Sequence, residues 1–222
     1  GVELSGLRQD RREFQREALE LEPTDRVLIF VGRLGPEKNL TMLLRAFAGA
    51  QAAVENLRLI IVGEGVEKDN LSDWCQRSGI SEKVRFIGNV AYPTVADYLH
   101  LADAFITASI SEVHPLSVIE GMAVGLPVIG IRSPGVGDIV QDDVNGMLCR
   151  NDLATFTART VRLVLDDALR ERLAAGASES AEAYDIRKTA AQLLNHYQTL
   201  VDDKKRAPAK EKSRRLLSRI FQ

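Results

Sequence analysis

Short apolar runs alternate with longer amphipathic ones along this chain, and that rhythm restricts its fold more than any other feature. "VLIFVG" (27–32), "LRLIIVG" (57–63), "VRFIG" (84–88), "DAFITAS" (103–109) and "PVIGI" (127–131) read as Val- and Ile-rich strands buried on both faces, and "GMLC" (146–149) as a sixth. Helical patterns fall between them at 39–54, 67–79, 92–101 and 116–125, and after residue 151 the pattern is helical only. Repeated strand–helix–strand units imply right-handed crossovers and a parallel sheet covered by helices on both faces. The expected fold class is therefore α/β: a doubly wound, Rossmann-like sheet with a helical C-terminal region. Residues 1–22 are expected to be a leading helix or interdomain linker, 23–201 the folded domain and 202–222 a basic tail. Ligands of such sheets bind beyond the carboxyl ends of the strands, so the loops that follow the strands are where chemistry is sought.

Composition removes several classes. No apolar run approaches the roughly eighteen residues that a membrane-spanning helix needs. "GVELSGLRQDRREF" lacks the basic, apolar and small-residue succession of a secretory signal, so a cytoplasmic location is expected. Cys75 and Cys149 lie far apart and are read as reduced thiols. His100, His114 and His196 are scattered, and no metal site is expected. The net charge of −2 hides an asymmetry. Of 29 basic and 31 acidic residues, eight and one fall after residue 203, which leaves 21 and 30 in the rest. A nucleic-acid partner is not expected of so acidic a body.

The loop "VGRLGPEKNL" ends the first strand at Gly32, places Arg33 next, and sets Lys38 just before a helix whose N-cap is read as Asn39. Two cations beside a helix N-terminus suit an anion, because free N–H groups and the helix dipole both favour negative charge. The same spacing also suits a solvated turn with ordinary surface cations. It is neither a Walker A loop nor a dinucleotide fingerprint, and "VGEGVEK" and "SPGVGDIV" fail the dinucleotide test too. In "SEVHPLSVIEGMAVGLPVIG", Glu112 falls in the loop above the sheet, Pro115 at the first helical position, Glu120 on the second turn and Gly125 at C′. A core has no use for either carboxylate without a partner. Glu112 also suits a solvent-facing loop, and Glu120 an exposed helix face.

Taken together, "FVGRLGPEKN", "LIIVGEG", "VRFIGNV", "SEVHPLSVIEGMAVGLPVIG" and "GVGDIVQDDVNGML" resemble, in order and spacing, the retaining GT-B glycosyltransferases of the glycogen-synthase-like group one family. The spacing of Glu112 and Glu120 is a signature of that group, and the resemblance runs over roughly residues 27 to 200. "GVELSGLR" resembles the linker that enters the family's C-terminal, donor-binding domain. The resemblance implies a hexosyltransferase that takes a UDP-sugar or GDP-sugar donor, needs no metal or cofactor, and lacks here the N-terminal acceptor domain that full activity requires. It implies that Arg33 and Lys38 hold the diphosphate, helped by N–H groups near Leu116 and Ser117. Glu120 would accept from the ribose hydroxyls, Glu112 would sit beside the hexose, and Asn89 and Val90 would lie against the base. The family has an aromatic residue and glycine where this chain has His114 and Pro115, so His114 is expected to bond the sugar or phosphate instead.

A glycoside hydrolase is disfavoured, since its two carboxylates must flank one glycosidic bond, and a dehydrogenase lacks its fingerprint. A stand-alone nucleotide-sugar-binding or regulatory module remains open. So do two readings of "KSRRLLSRIFQ": a solvated tail, or a basic amphipathic contact with an anionic membrane that would fit a lipid acceptor.

Overall fold

The computed structural model of the protein describes residues 1–8 and 16–206. Six parallel strands, β1 (Arg26–Val31), β2 (Leu57–Val62), β3 (Val84–Gly88), β4 (Ala104–Thr107), β5 (Val128–Ile131) and β6 (Gly146–Cys149), form one sheet in the order β3-β2-β1-β4-β5-β6. The helices are α1 (Leu4–Leu7), α2 (Leu40–Gln51), α3 (Lys68–Arg77), α4 (Tyr92–Leu99), α5 (Leu116–Ala123), α6 (Val136–Ile139), α7 (Leu153–Leu165), α8 (Asp167–Ala181) and α9 (Ile186–Arg206). The expected doubly wound α/β architecture is the one observed.

Period-2 alternation divides each strand between two cores. Leu28, Phe30, Leu59, Ile61 and Ile106 face one side, where Leu43, Leu44 and Phe47 of α2 meet Phe156 and Leu163 of α7. Val27, Ile29, Ile60, Val62 and Phe105 face the other, against Val95 and Leu99 of α4 and Val118, Ile119 and Met122 of α5. The leading segment joins this second core through Val2, Leu4, Leu7 and Leu21. Val2 pairs with Asp185, donating from its N–H to the Tyr184 carbonyl (2.8 Å). Cys75 and Cys149 are both buried and unbridged.

The order of strands reverses between β1 and β4. There the ladder holds only Leu28↔Ala104 and Ile29↔Phe105 and stops two residues before β1 ends, whereas β1 and β2 pair through to Val31↔Val62. A crevice at such a reversal is where this class of sheet binds its ligands.

α9 is exposed over residues 190–204, where Leu193, Leu194, Tyr197, Leu200 and Val201 form an apolar stripe spaced by three and four residues. The helix continues beyond residue 201, where the basic tail was expected to begin, and residues 207–222 of that tail lie outside the described residues. Among the described residues no helix is long and apolar enough to cross a membrane.

Candidate active site

The loops after β1, β4 and β5 meet over the sheet's carboxyl edge. After β1 the chain makes a 3-10 turn over Pro36–Lys38, and Asn39 then enters the left-handed region (φ 51°, ψ 42°), which short amide side chains tolerate. Asn39 is the N-cap of α2 as expected, although its side chain bonds none of the helix N–H groups. The turn folds Lys38 back, so that its Cε lies 3.9 Å from where a Cβ on Gly32 would stand. The ammonium there forms an ion pair with the Glu112 carboxylate, and both side chains are largely buried.

Glu112 is held from two further directions. The Ile110 N–H donates to the Glu37 carbonyl (3.0 Å), tying the loop after β4 to the turn after β1. The Glu112 N–H donates to the Pro134 carbonyl (3.2 Å), and Ser133 Oγ donates to the Ser109 carbonyl (2.6 Å), so the loop after β5 braces the same segment. Gly135 completes the brace at φ 80°, where a Cβ would come within 2.4 Å of the Glu112 carbonyl oxygen.

Arg33 behaves differently. Its guanidinium is 74% exposed and pairs with Glu37 at 2.6 Å. The Glu37 carboxyl is kept below the ordinary carboxylate range by its own backbone N–H and by that guanidinium. Arg33 lines a cleft of about 460 Å³ with Gly32, Gly63, Glu64, Asn89, Val90 and Val95, across the ends of β1, β2 and β3. The floor is backbone, because a Cβ at Gly63 would fall 2.0 Å from the Gly32 carbonyl oxygen. The structure thus brings Arg33, Asn89 and Val90 to one cleft, and Lys38 and Glu112 into contact beside it.

Helix α5 supplies the rest. Pro115 is its N-cap rather than its first helical residue, so the helix starts one position later than expected. The Leu116 and Ser117 N–H groups have no protein acceptor among the described residues and stand free at the helix start. Glu120 is 7% exposed, which removes its reading as an exposed helix face. Burial raises its pKa, and the neighbouring Tyr92 phenol works in the opposite direction. The exposed His114 packs its ring on Tyr184, centroids 5.8 Å apart, just before α9 begins.

Three participants were not foreseen. Glu37 was readable, since i and i+4 partners around a turn are a local pattern. Tyr92 and the Ser133–Gly135 brace were not, because both act across long sequence separations. Among the described residues, no group of three or more His, Cys, Asp or Glu side chains gathers to hold a metal.

This arrangement can hold an anion near Lys38 and the α5 tip, with a polar, hydroxyl-bearing group at Glu120. The family model described as glycosyl transferases group 1 matches residues 11–180. Phosphatidyl-myo-inositol mannosyltransferase of Mycobacterium leprae is 30% identical over 178 residues, 79% of this chain and 47% of that protein. D-inositol 3-phosphate glycosyltransferase of Rhodococcus opacus is 33% identical over 205 residues, 89% of this chain and 46% of that protein. The chain therefore spans about half the length of these relatives. Among solved structures, Anabaena HepE in complex with UDP and glucose superposes with a TM-score of 0.79 at 20% identity, over 90% of this chain and 55% of that one. The C-terminal domain of the Francisella tularensis group 1 protein LpcC superposes with a TM-score of 0.72 at 19% identity, over 84% of this chain and 100% of that one. The GT-B character expected from the motifs agrees with these neighbours, and the chain belongs to the group 1 glycosyl transferases.

Proposed function

We propose that this chain is the donor-binding half of a retaining, metal-independent hexosyltransferase that uses a UDP-sugar or GDP-sugar. The observation that carries this reading is the Lys38–Glu112 ion pair beside the free N–H groups of Leu116 and Ser117, on the helix that buries Glu120. When a glycosyl bond to a nucleoside diphosphate breaks, negative charge gathers on the departing phosphate oxygen. Fixed cations and N–H donors stabilise it with little reorganisation.

In this reading Lys38, Arg33 and the α5 tip hold the pyrophosphate. Each cation exchanges or shares its present carboxylate partner, Glu37 or Glu112. Glu112, released toward the hexose, favours positive charge at the anomeric carbon. Glu120 accepts from the ribose hydroxyls, and the base lies in the cleft by Asn89 and Val90. His114 stands at the hexose end of the same loop. The UDP complex of Anabaena HepE supports the choice of donor class.

The acceptor side belongs to a second domain, and two findings support that partner. The relatives are about twice as long as their match to this chain, and the apolar stripe of α9 is uncovered here. A lipid or saccharide acceptor fits the names of relatives such as the M. leprae mannosyltransferase. A cytoplasmic protein with a peripheral membrane contact through residues 202–222 belongs to the same proposal. Co-sedimentation with anionic vesicles, with and without that segment, checks that contact.

Calorimetry against nucleoside diphosphates and their sugars tests the core reading. UDP or GDP should bind, and Arg33→Ala or Lys38→Ala should lower affinity at least about tenfold, the loss expected for one charge-assisted contact. Unchanged affinity in Lys38→Ala refutes the assignment. Donor binding that persists without transfer after the acceptor half is supplied would mark the chain as a binding module.

A further inference from the structure

The two ion pairs at the mouth of the site differ in kind. Arg33 and Glu37 lie toward solvent, with side chains 74% and 32% exposed, where such a pair contributes little. Lys38 and Glu112 are 17% and 15% exposed, a setting in which salt and water screen each charge poorly. Among the described residues, Lys38 is the one group that holds the Glu112 carboxylate, and no backbone N–H donates to it.

The main chain on both sides of this pair is fixed. The Glu112 N–H donates to the Pro134 carbonyl (3.2 Å), and Gly135 lies so close that any side chain there would strike the Glu112 carbonyl. The Lys38 N–H donates to the Gly35 carbonyl (3.0 Å) within its own turn. Side-chain rotation is therefore what can part the two charges. A glutamate side chain moves between staggered rotamers, so the carboxylate can leave Lys38 while both loops stay in place.

A diphosphate arriving here needs Lys38, which Glu112 already occupies, and the carboxylate also repels the phosphate. We propose that Glu112 is a built-in competitor for the diphosphate. It gives up Lys38 when a glycosyl group arrives for it to face, and reclaims Lys38 from the nucleoside diphosphate left after transfer, which speeds that product's departure. The inference rests on the donor-binding reading above and adds to it a means of product release. While a glycosyl donor is bound, contacts between Glu112 and the sugar offset the broken ion pair. Once the sugar has gone nothing offsets it, and carboxylate and phosphate contend for one ammonium.

The test is calorimetric titration of the full chain with UDP, with GDP and with inorganic pyrophosphate, which carries neither base nor sugar. Wild type, Glu112→Gln and Glu37→Gln are compared. Glu112→Gln keeps the side chain's shape and removes its charge. It should bind pyrophosphate at least about fivefold more tightly, the effect of taking away one like charge about 4 Å off even at the dielectric constant of water. UDP or GDP should gain by a similar factor, and stopped-flow displacement should show it leaving more slowly by that factor. Glu37→Gln, at the exposed pair, should change pyrophosphate affinity less than about threefold. Glu112→Ala removes the same charge and serves in place of Glu112→Gln should that variant not fold. Unchanged or weaker pyrophosphate binding in the Glu112 variant overturns the proposal, as does release of UDP or GDP at the wild-type speed. An equal gain in Glu37→Gln also overturns it, since that marks a general effect of net charge. If wild type binds neither UDP nor GDP, the donor-site reading itself fails and takes this proposal with it.

Discussion

Gly135→Ala probes the brace behind Glu112, and Gly125→Ala supplies its control. Both glycines have a positive φ, 80° and 84°, so an alanine at either incurs strain of at least about 1–2 kcal/mol. Their surroundings differ. A Cβ at Gly125 has nothing within 4 Å, whereas at Gly135 it meets the Glu112 carbonyl oxygen at 2.4 Å, its Cβ at 2.6 Å and its carbonyl carbon at 2.8 Å. Two of those atoms are backbone, and real contacts of this kind do not close below 3.0 Å, so the loop after β4 must move. Forced displacement in a packed region costs about 1–3 kcal/mol more. For a chain of this size each kcal/mol lowers Tm by about 2–4 °C. Gly125→Ala should therefore melt about 2–8 °C below wild type, and Gly135→Ala a further 2–12 °C lower. Thermal unfolding followed by circular dichroism measures both, and UDP titration should show weaker binding for Gly135→Ala alone. Equal melting temperatures for the two variants would refute the steric argument, because a positive φ is common to both and the clash is not.

Two further outcomes follow from buried groups. Glu120→Gln should raise Tm by about 2–4 °C at pH 8 while abolishing most UDP affinity, since it removes a charge that burial disfavours. Because the folded carboxyl titrates above its ordinary value of 4.5, the wild-type penalty is absent below that pH and grows above it; the two proteins should converge near pH 4. Burial also lifts the Cys75 and Cys149 thiols to about 11 and about 12. Both should resist alkylation at pH 8 until denaturant is added, and their contribution to stability should fade as pH rises from 9.0 toward those values. Fast labelling of the folded chain would contradict this.

Much of the fold was legible because each strand is apolar on both faces and each helix is punctuated. "VLIFVG" can only be a buried strand, and Gly125 at φ 84° ends α5 where the pattern ends. The reversal of strand order between β1 and β4 was inferred in kind but not in place, because pairing is a long-range property. The site showed the same division. Arg33, Lys38, Glu112 and Glu120 stand out as charges in post-strand or apolar stretches. Their partners did not: Lys38 meets Glu112 across 74 positions, and the exposed His114 lays its ring against Tyr184. Asn39 fell at the expected cap yet reached it by left-handed backbone instead of a side-chain bond. A short polar residue permits either solution, so sequence could not choose.

The hydrogen bond from Ile110 to Glu37 sews together the two loops that flank the reversal of the sheet. Lys38 and Glu112 pair across the same seam, so both lips of the crevice are tied to each other. A domain built this way behaves as an anvil.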